Sequence, residues 1–107
     1  SRGSWNGGDL PGSTETVRAR VWVKGRVQGV GFRAHVEYYG RQIGVTGWVR
    51  NVGYDTVEAV AEGERAKVER FIETMKQGPR ASRVDESNVD WEMPTGEFRE
   101  FEVKRSL

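Results

Sequence analysis

The sequence predicts an α+β domain in which two helices cover one face of an antiparallel sheet of four to five strands. Three observations support this fold class. Some segments alternate apolar and polar residues, which is typical of half-buried strands. Two other segments repeat apolar residues every three or four positions, as amphipathic helices do. The segments come in the order strand, helix, two strands, helix and one or two strands, which is the split βαβ pattern.

The first strand and the first helix flank a glycine-rich turn. Every second residue in the segment 16–24 is apolar, which predicts a strand with one buried face. Helical spacing then follows, and it predicts a helix with one apolar stripe. That stripe is Phe32, Val36, Tyr39 and Ile43. Gly44 follows the stripe and is expected to end the helix.

A hairpin is expected after the first helix. Its strands should span residues 45–52 and 56–62, joined by the tight turn Gly53-Tyr54-Asp55. Three small apolar residues share one face of the later strand, so that a helix can pack closely against it. They are Val57, Ala59 and Ala61.

The second helix should span residues 64–77, because its apolar residues fall at positions i, i+3, i+4 and i+7 and Gly78-Pro79 follows. Its apolar residues are Val68, Phe71, Ile72 and Met75. Further alternation predicts strands near residues 83–93 and 98–104. With both helices on one face, this order describes a ferredoxin-like split βαβ sandwich.

The domain organisation is simple. A chain of 107 residues is long enough for one domain with a two-layer core, which we place at residues 16–107. Residues 1–15 are rich in Gly and Ser and have no apolar period, so we expect a flexible N-terminal tail. Trp5 and Leu10 are the tail residues that could instead dock on the domain.

Composition excludes several classes of function. The 17 basic and 16 acidic residues give a net charge of +1, so no strong field attracts nucleic acid or an anionic membrane. The chain has no cysteine and no long apolar run, which argues against disulfides and a membrane span. The cytoplasm is the default location, because the N-terminus lacks the basic-then-apolar order of a signal peptide.

The most informative feature is the segment 25–33, which reads Gly-Arg-Val-Gln-Gly-Val-Gly-Phe-Arg. Glycines at 25, 29 and 31 let consecutive backbone N–H groups point into one concavity. The helix that follows adds roughly half a positive charge at its start. Arg33 supplies a planar, permanently charged fork that suits two phosphate oxygens. The segment therefore predicts an anion-binding loop.

Three well-known phosphate motifs do not fit this loop. A Walker loop ends in Gly-Lys-Ser/Thr, whereas this one ends in Gly31-Phe32-Arg33. A dinucleotide fingerprint could be forced onto Gly29, Gly31 and Ala34, but a hairpin follows where a second crossover is needed. The cysteine-loop phosphatases need a thiolate nucleophile, and this chain has no cysteine.

Several motifs occur in a characteristic order along the chain. They are residues 23–33, the run Gly-Trp-Val-Arg-Asn at 47–51, Val57-Glu58, Ala61-Glu62-Gly63 and, after the second helix, Gln77-Gly78-Pro79. Together they closely resemble the acylphosphatase family, and the resemblance covers about residues 16–104. One departure is visible, because the family often has an Asp-Gly turn before the third strand and this chain has Gly53-Tyr54-Asp55. We expect a shifted hairpin turn with the site retained.

The resemblance implies an acylphosphatase domain that cleaves carboxyl-phosphate anhydrides without metal, cofactor or covalent intermediate. It assigns phosphate binding to the loop backbone and to Arg33, and orientation of the attacking water to Asn51. The loop residues concerned are Val27, Gln28, Gly29, Val30, Gly31 and Phe32. The Gln28 side chain could either touch the substrate or stiffen the loop. Asn51 read in isolation would be a turn former at a strand end.

Two nearby residues are not expected to take part. His35 lies two positions after Arg33, about 200° around the helix axis, so it should point away from the loop. Arg50 should lie on the opposite face of the sheet from Asn51 and be solvated.

Two other classes of protein share part of this sequence pattern. RNA recognition motifs share the strand and helix order, but residues 56–62 carry none of the aromatics that stack on bases. A non-catalytic phosphate-binding regulatory or assembly module of the same fold is the alternative. We expect a monomeric enzyme that takes a small acyl phosphate and releases inorganic phosphate, which also competes for the site, with no nucleic acid or membrane partner.

Overall fold

Residues 15–105, the part of the chain that the computed structural model describes, form five strands and two helices in the predicted order. The elements are β1 (Thr16–Arg26), α1 (Phe32–Ile43), β2 (Thr46–Val52), β3 (Thr56–Glu64), α2 (Arg65–Gln77), β4 (Arg83–Glu92) and β5 (Phe101–Val103). The tail expected at residues 1–15, with Trp5 and Leu10, lies outside the described residues except for Glu15. The carbonyl of Glu15 accepts a hydrogen bond from the Arg65 N–H at 3.3 Å.

The sheet has the strand order β4-β1-β3-β2-β5. Four strands are antiparallel to their neighbours, whereas β5 runs parallel to β2. The expectation of a wholly antiparallel sheet is therefore wrong at this edge. The reason is topological: β4 runs opposite to β1 and β2, so a chain that turns back after β4 must run in the direction of β2. Residues 93–100 carry the chain from one edge of the sheet to the other.

Both helices pack on one face of the sheet, and the core lies between them and that face. The alternating residues of β1 and β3 are buried there as predicted, and so is the apolar stripe of α2. In α1 the stripe differs from the prediction, because Tyr39 is 42% exposed and Gly40 is buried instead. A Cβ atom on Gly40 would lie 3.0 Å from the Phe101 ring, so β5 packs against a position that has no side chain.

The helix-free face of the sheet carries a network of arginines and glutamates. Arg18 pairs with Glu62 at 3.0 Å, and Arg20 and Arg50 both pair with Glu58 at 2.7 Å. The expectation that Arg50 is solvated is wrong, because its guanidinium also lies 4.7 Å from the Trp48 ring centroid. Opposite charges face each other across the strands here, which favours this register.

Glu62 holds the segment 93–100, which connects β4 to β5, against the sheet. Glu62 is 3% exposed, and its carboxylate accepts hydrogen bonds from the Thr95 N–H at 3.0 Å and the Gly96 N–H at 3.1 Å, besides the one from Arg18. Burial alone would raise the pKa of Glu62, but these donors outweigh burial and hold the pKa below its usual value of 4.5.

Replacing Glu62 should therefore destabilise the protein in a pH-dependent way. A lowered carboxylate pKa contributes stability above the usual pKa that is lost as the pH falls through the folded-state pKa. We expect E62Q to lower the free energy of unfolding by about 2 kcal/mol at neutral pH, with a smaller difference from wild type near pH 3. Urea denaturation at both pH values measures this. E69Q, at an exposed pair on α2, is the matched control and should change stability little. An equal loss at both pH values for E62Q would show that the carboxylate charge is not responsible.

Candidate active site

The loop between β1 and α1 depends on left-handed backbone at two glycines. Gly29 has φ 74° and Gly31 has φ 76°. A Cβ atom at either position would meet no atom within 4 Å, so the requirement for glycine comes from the backbone and not from space. Left-handed residues in a turn can direct successive N–H groups toward one side, and a concave surface of this kind suits an anion.

The start of α1 adds to this polarity. Its N-cap residue is Gly31, which has no side chain with which to cap the helix, and the first turn contains no acidic residue. The N–H groups of a first turn have no partner within the helix, and together they carry roughly half a positive charge. The loop and the helix start therefore present donors to the same space.

A cleft of about 240 Å³ lies over this loop. One water occupies about 30 Å³ in the liquid, so the cleft has room for a phosphoryl group and part of its substituent. Its lining residues are Val27, Gln28, Gly29, Gly31, Phe32, Arg33, Ala34, Glu37, Asn51 and Val103. The structure thus brings the loop, Arg33 and Asn51 together, although they come from different elements.

Arg33 is half-buried in the first turn of α1. None of the ion pairs within residues 15–105 involves it, whereas Arg18, Arg20 and Arg50 on the other face are all paired. A cation at a helix start opposes the helix dipole, and a bound anion would reverse that cost. Within residues 15–105, no carboxylate competes with a ligand for the charge of Arg33 through an ion pair.

Asn51 lies near the end of β2, opposite Val57 and on the helix-covered side of the sheet. Its Oδ1 atom is buried and has no hydrogen-bond partner among residues 15–105. A buried unpaired acceptor typically costs about 1–3 kcal/mol. A strand-end turn former would not need such an acceptor in a cleft, whereas a residue that accepts a hydrogen bond from water would.

The Gln28 side chain joins the loop to the β2–β3 turn. Its Nε2 atom donates to the carbonyl oxygens of Thr56 at 2.9 Å, Gly53 at 3.2 Å and Val52 at 3.4 Å. Of the two roles left open by the sequence, these contacts match the one that stiffens the loop. The turn itself is formed at Gly53, which has φ 63° and so takes the left-handed position.

The other predicted loop residues divide into two groups. Val27 and Phe32 are buried and also line the cleft, so they anchor the loop to the core. Val30 does not belong to the lining, and its side chain packs against the core instead. Its backbone still lies between the two left-handed glycines.

Sequence reasoning missed three lining residues, Ala34, Glu37 and Val103. Glu37 could have been found, because it lies one helical turn after Arg33 on the same side of α1. It pairs with Arg41 at 3.3 Å. The sequence around Val103 does not indicate that it lies at the cleft. Val103 reaches the cleft because β5 pairs with β2, and this pairing depends on the topology of the sheet.

His35 lies outside the cleft, as expected. Its ring centroid is 4.7 Å from that of Tyr39, and it faces a groove shared with Thr74 and Gln77 of α2. Burial lowers the pKa of His35, so the neutral imidazole is favoured.

Three further features of residues 15–105 concern alternative functions. This part of the chain contains no group of three His, Asp or Glu side chains that could hold a metal ion. A bilayer-spanning helix needs about 20 apolar residues, and neither α1 nor α2 is long and apolar enough. A larger depression of about 410 Å³ lies near Trp48, but charges of both signs line it and the glycine loop does not reach it.

Comparison with known proteins identifies the family. The sequence model of the acylphosphatases matches residues 19–103. The chain belongs to the acylphosphatase family. An acylphosphatase of Roseiflexus sp. (strain RS-1) is 48% identical over 89 residues, which cover 83% of this chain and 96% of that protein.

Solved structures agree with this assignment. The crystal structure of acylphosphatase from Bacillus subtilis superimposes with a TM-score of 0.78 at 33% identity, covering 82% of this chain and 98% of that one. Full-length HypF, solved in a phosphate- and nucleotide-bound form, matches with the same TM-score at 27% identity, but the match covers only 12% of HypF. The predicted family and ferredoxin-like fold are confirmed. This acylphosphatase is a hydrolase that acts on acyl phosphates, which are small-molecule substrates.

The geometry of the loop predicts where inorganic phosphate binds. A loop of this kind is expected to recognise a tetrahedral anion through its backbone donors. Titration with phosphate or sulfate should therefore shift the amide NMR signals of residues 27–32, and both anions should compete with substrate. Sodium chloride at matched ionic strength is the control. Shifts that cluster instead near Trp22 or Trp48 would place the anion site elsewhere.

Proposed function

We propose that this acylphosphatase hydrolyses its substrate by direct in-line attack of water on phosphorus, without a metal ion and without a covalent intermediate. The observation that carries the proposal is the meeting of three features at one cleft: a loop with two left-handed glycines, an arginine without an ion pair within residues 15–105, and Asn51, whose buried amide oxygen has no partner among the same residues. The loop and Arg33 together supply the first requirement of the reaction, and Asn51 supplies the second.

The first requirement is to hold and neutralise the phosphoryl oxygens. In the proposed complex the N–H groups of residues 27–32 and the start of α1 donate to these oxygens, and the Arg33 guanidinium pairs with two of them. These donors are fixed before the substrate arrives, so they need little reorganisation as charge builds in the transition state. The same donors would hold inorganic phosphate, which makes the product a competitor.

The second requirement is a water placed opposite the leaving group. We assign this role to Asn51, because the residue lines the cleft and its buried amide oxygen has no partner among residues 15–105. A neutral amide can orient water without repelling the dianionic substrate. Holding one water in line is worth several kcal/mol, since it removes the search for a reactive orientation.

The third requirement is an acceptor for the proton that the attacking water releases. The water oxygen forms a bond to phosphorus while the bond from phosphorus to the acyl oxygen breaks, and its electron pair leaves with the carboxylate. Both protons of the water then reside on phosphate oxygens, which gives dihydrogen phosphate. A carboxylate is a good leaving group and needs no proton, so the reaction requires no protein acid. His35, the single histidine, is outside the cleft.

We further propose that the protein acts as a cytoplasmic monomer without nucleic acid or membrane partners. Its net charge of +1 supports this, and so does the pairing of the outer-face arginines with glutamates of the same chain. A non-catalytic phosphate-binding module is the competing hypothesis. Turnover of benzoyl phosphate in the presence of a chelator distinguishes the two hypotheses. The proposed enzyme shows this turnover, and a non-catalytic module does not.

Substitution of the two proposed catalytic residues should produce different defects. R33A removes the fixed charge, so turnover and phosphate affinity should both fall, with turnover reduced at least about a hundredfold to a thousandfold. N51A leaves the anion loop intact, so turnover should fall by a comparable factor while inorganic phosphate still inhibits at near wild-type concentrations. Steady-state kinetics with benzoyl phosphate and phosphate inhibition measure both effects.

Matched variants control this experiment. R70A removes an exposed arginine on α2 that lies outside the cleft, and H35Q removes the single histidine. Both variants should keep turnover within about twofold of wild type. Near-normal turnover of folded N51A would show that Asn51 does not position the water. Phosphate binding without any turnover in the wild type would favour the non-catalytic module.

A further inference from the structure

The Gln28 amide lies where the phosphate loop meets the hairpin that carries Asn51. Its Nε2 atom lies within hydrogen-bond distance of three carbonyl oxygens, and the shortest contact is the 2.9 Å one to Thr56. Val52 and Thr56 pair directly and close the hairpin. Asn51 immediately precedes Val52, so the side chain of a loop residue holds the backbone next to Asn51.

A second contact joins the same two segments. The Gly25 N–H donates to the Asp55 carbonyl at 2.9 Å, and Lys24 approaches the Asp55 carboxylate at 3.8 Å. These contacts fix the start of the loop to the tip of the turn. Gln28 differs from them in lying inside the anion loop, between buried Val27 and left-handed Gly29. It therefore links the proposed phosphate-binding backbone to the proposed water-binding strand.

The same hydrogen bonds argue against direct contact between the Gln28 side chain and substrate. A primary amide has two N–H donors, and the hairpin carbonyls engage its nitrogen. What remains is the Oε1 acceptor, which a phosphoryl dianion would repel. The side chain is thus committed to the protein even though Gln28 lines the cleft.

We infer that Gln28 is a positioning residue, which sets the alignment of Asn51 relative to the phosphate loop. This inference rests on the proposed role of Asn51 in holding the attacking water. A misplacement of about 1 Å in a reacting pair can lower the rate about a hundredfold, so a loosened hairpin should lower turnover. Phosphate affinity should change little, because buried Val27 and Phe32 still anchor the loop N–H groups to the core and Arg33 is unchanged.

The test is a double-mutant cycle between Gln28 and Asn51. Q28M keeps the length of the side chain but removes its donors, and we expect kcat to fall roughly tenfold to a hundredfold, with phosphate inhibition unchanged within about twofold. In the N51A background the same change should lower kcat by less than about twofold, because the residue through which Gln28 acts is already absent. Q42M, on the exposed surface of α1, is the matched control and should be neutral.

Each outcome separates one explanation from another. A fall in phosphate affinity parallel to the fall in kcat/KM would show that Gln28 touches substrate. If the double variant loses kcat by the product of the two single fold-losses, Gln28 does not act through Asn51 and the positioning role is overturned. An unchanged kcat in Q28M would overturn it as well. Normal turnover of N51A alone would instead remove the proposed role of Asn51.

Folding is controlled separately. Thermal unfolding of Q28M should stay close to that of wild type. If Q28M does not fold, Q28N keeps the amide on a shorter side chain and should retain part of the turnover at wild-type phosphate affinity. Turnover of Q28N at or below that of N51A would contradict the inference.

Discussion

The rest of the site depends on one constraint, which is the concentration of hydrogen-bond donors and positive charge at the start of α1. Left-handed glycines, an uncapped helix start and Arg33 concentrate donors in one small volume, and within residues 15–105 no carboxylate forms an ion pair with that arginine. Such an arrangement is unfavourable without an anion. The protein must therefore hold the loop open on a rigid support, which β1, α1 and the β2–β3 hairpin provide.

The two faces of the sheet have different roles. The helix-covered face ends at the cleft, and its buried apolar residues fix β1, β2 and β3 relative to one another. The other face carries the paired arginines and glutamates, which hold residues 95–97 against the sheet through Glu62 and Arg18. That segment leads to β5, which brings Val103 to the rim of the cleft. The outer network thus contributes to the shape of a site on the opposite face.

Periodic features could be predicted from sequence, and features that depend on topology could not. The stripe of α2 and the glycine loop follow local rules, so both were found from the residues alone. The exposure of Tyr39 was missed, because Gly40 gives no apolar signal and its burial depends on Phe101, some 60 residues later. The same holds for Arg50, whose partner Glu58 is known only once the hairpin register is known. Gln28 was recognised as a loop residue, but its acceptors lie across the hairpin.

Stereochemistry at phosphorus tests the central claim most directly. An acyl phosphorothioate made chiral with one heavy oxygen isotope can be hydrolysed in water that carries a third isotope, and the configuration of the released thiophosphate can be determined. The proposed single in-line attack by water predicts inversion of configuration. Retention is incompatible with a single in-line attack, and it is the result expected of two successive displacements through a phosphorylated side chain, so it would contradict the account.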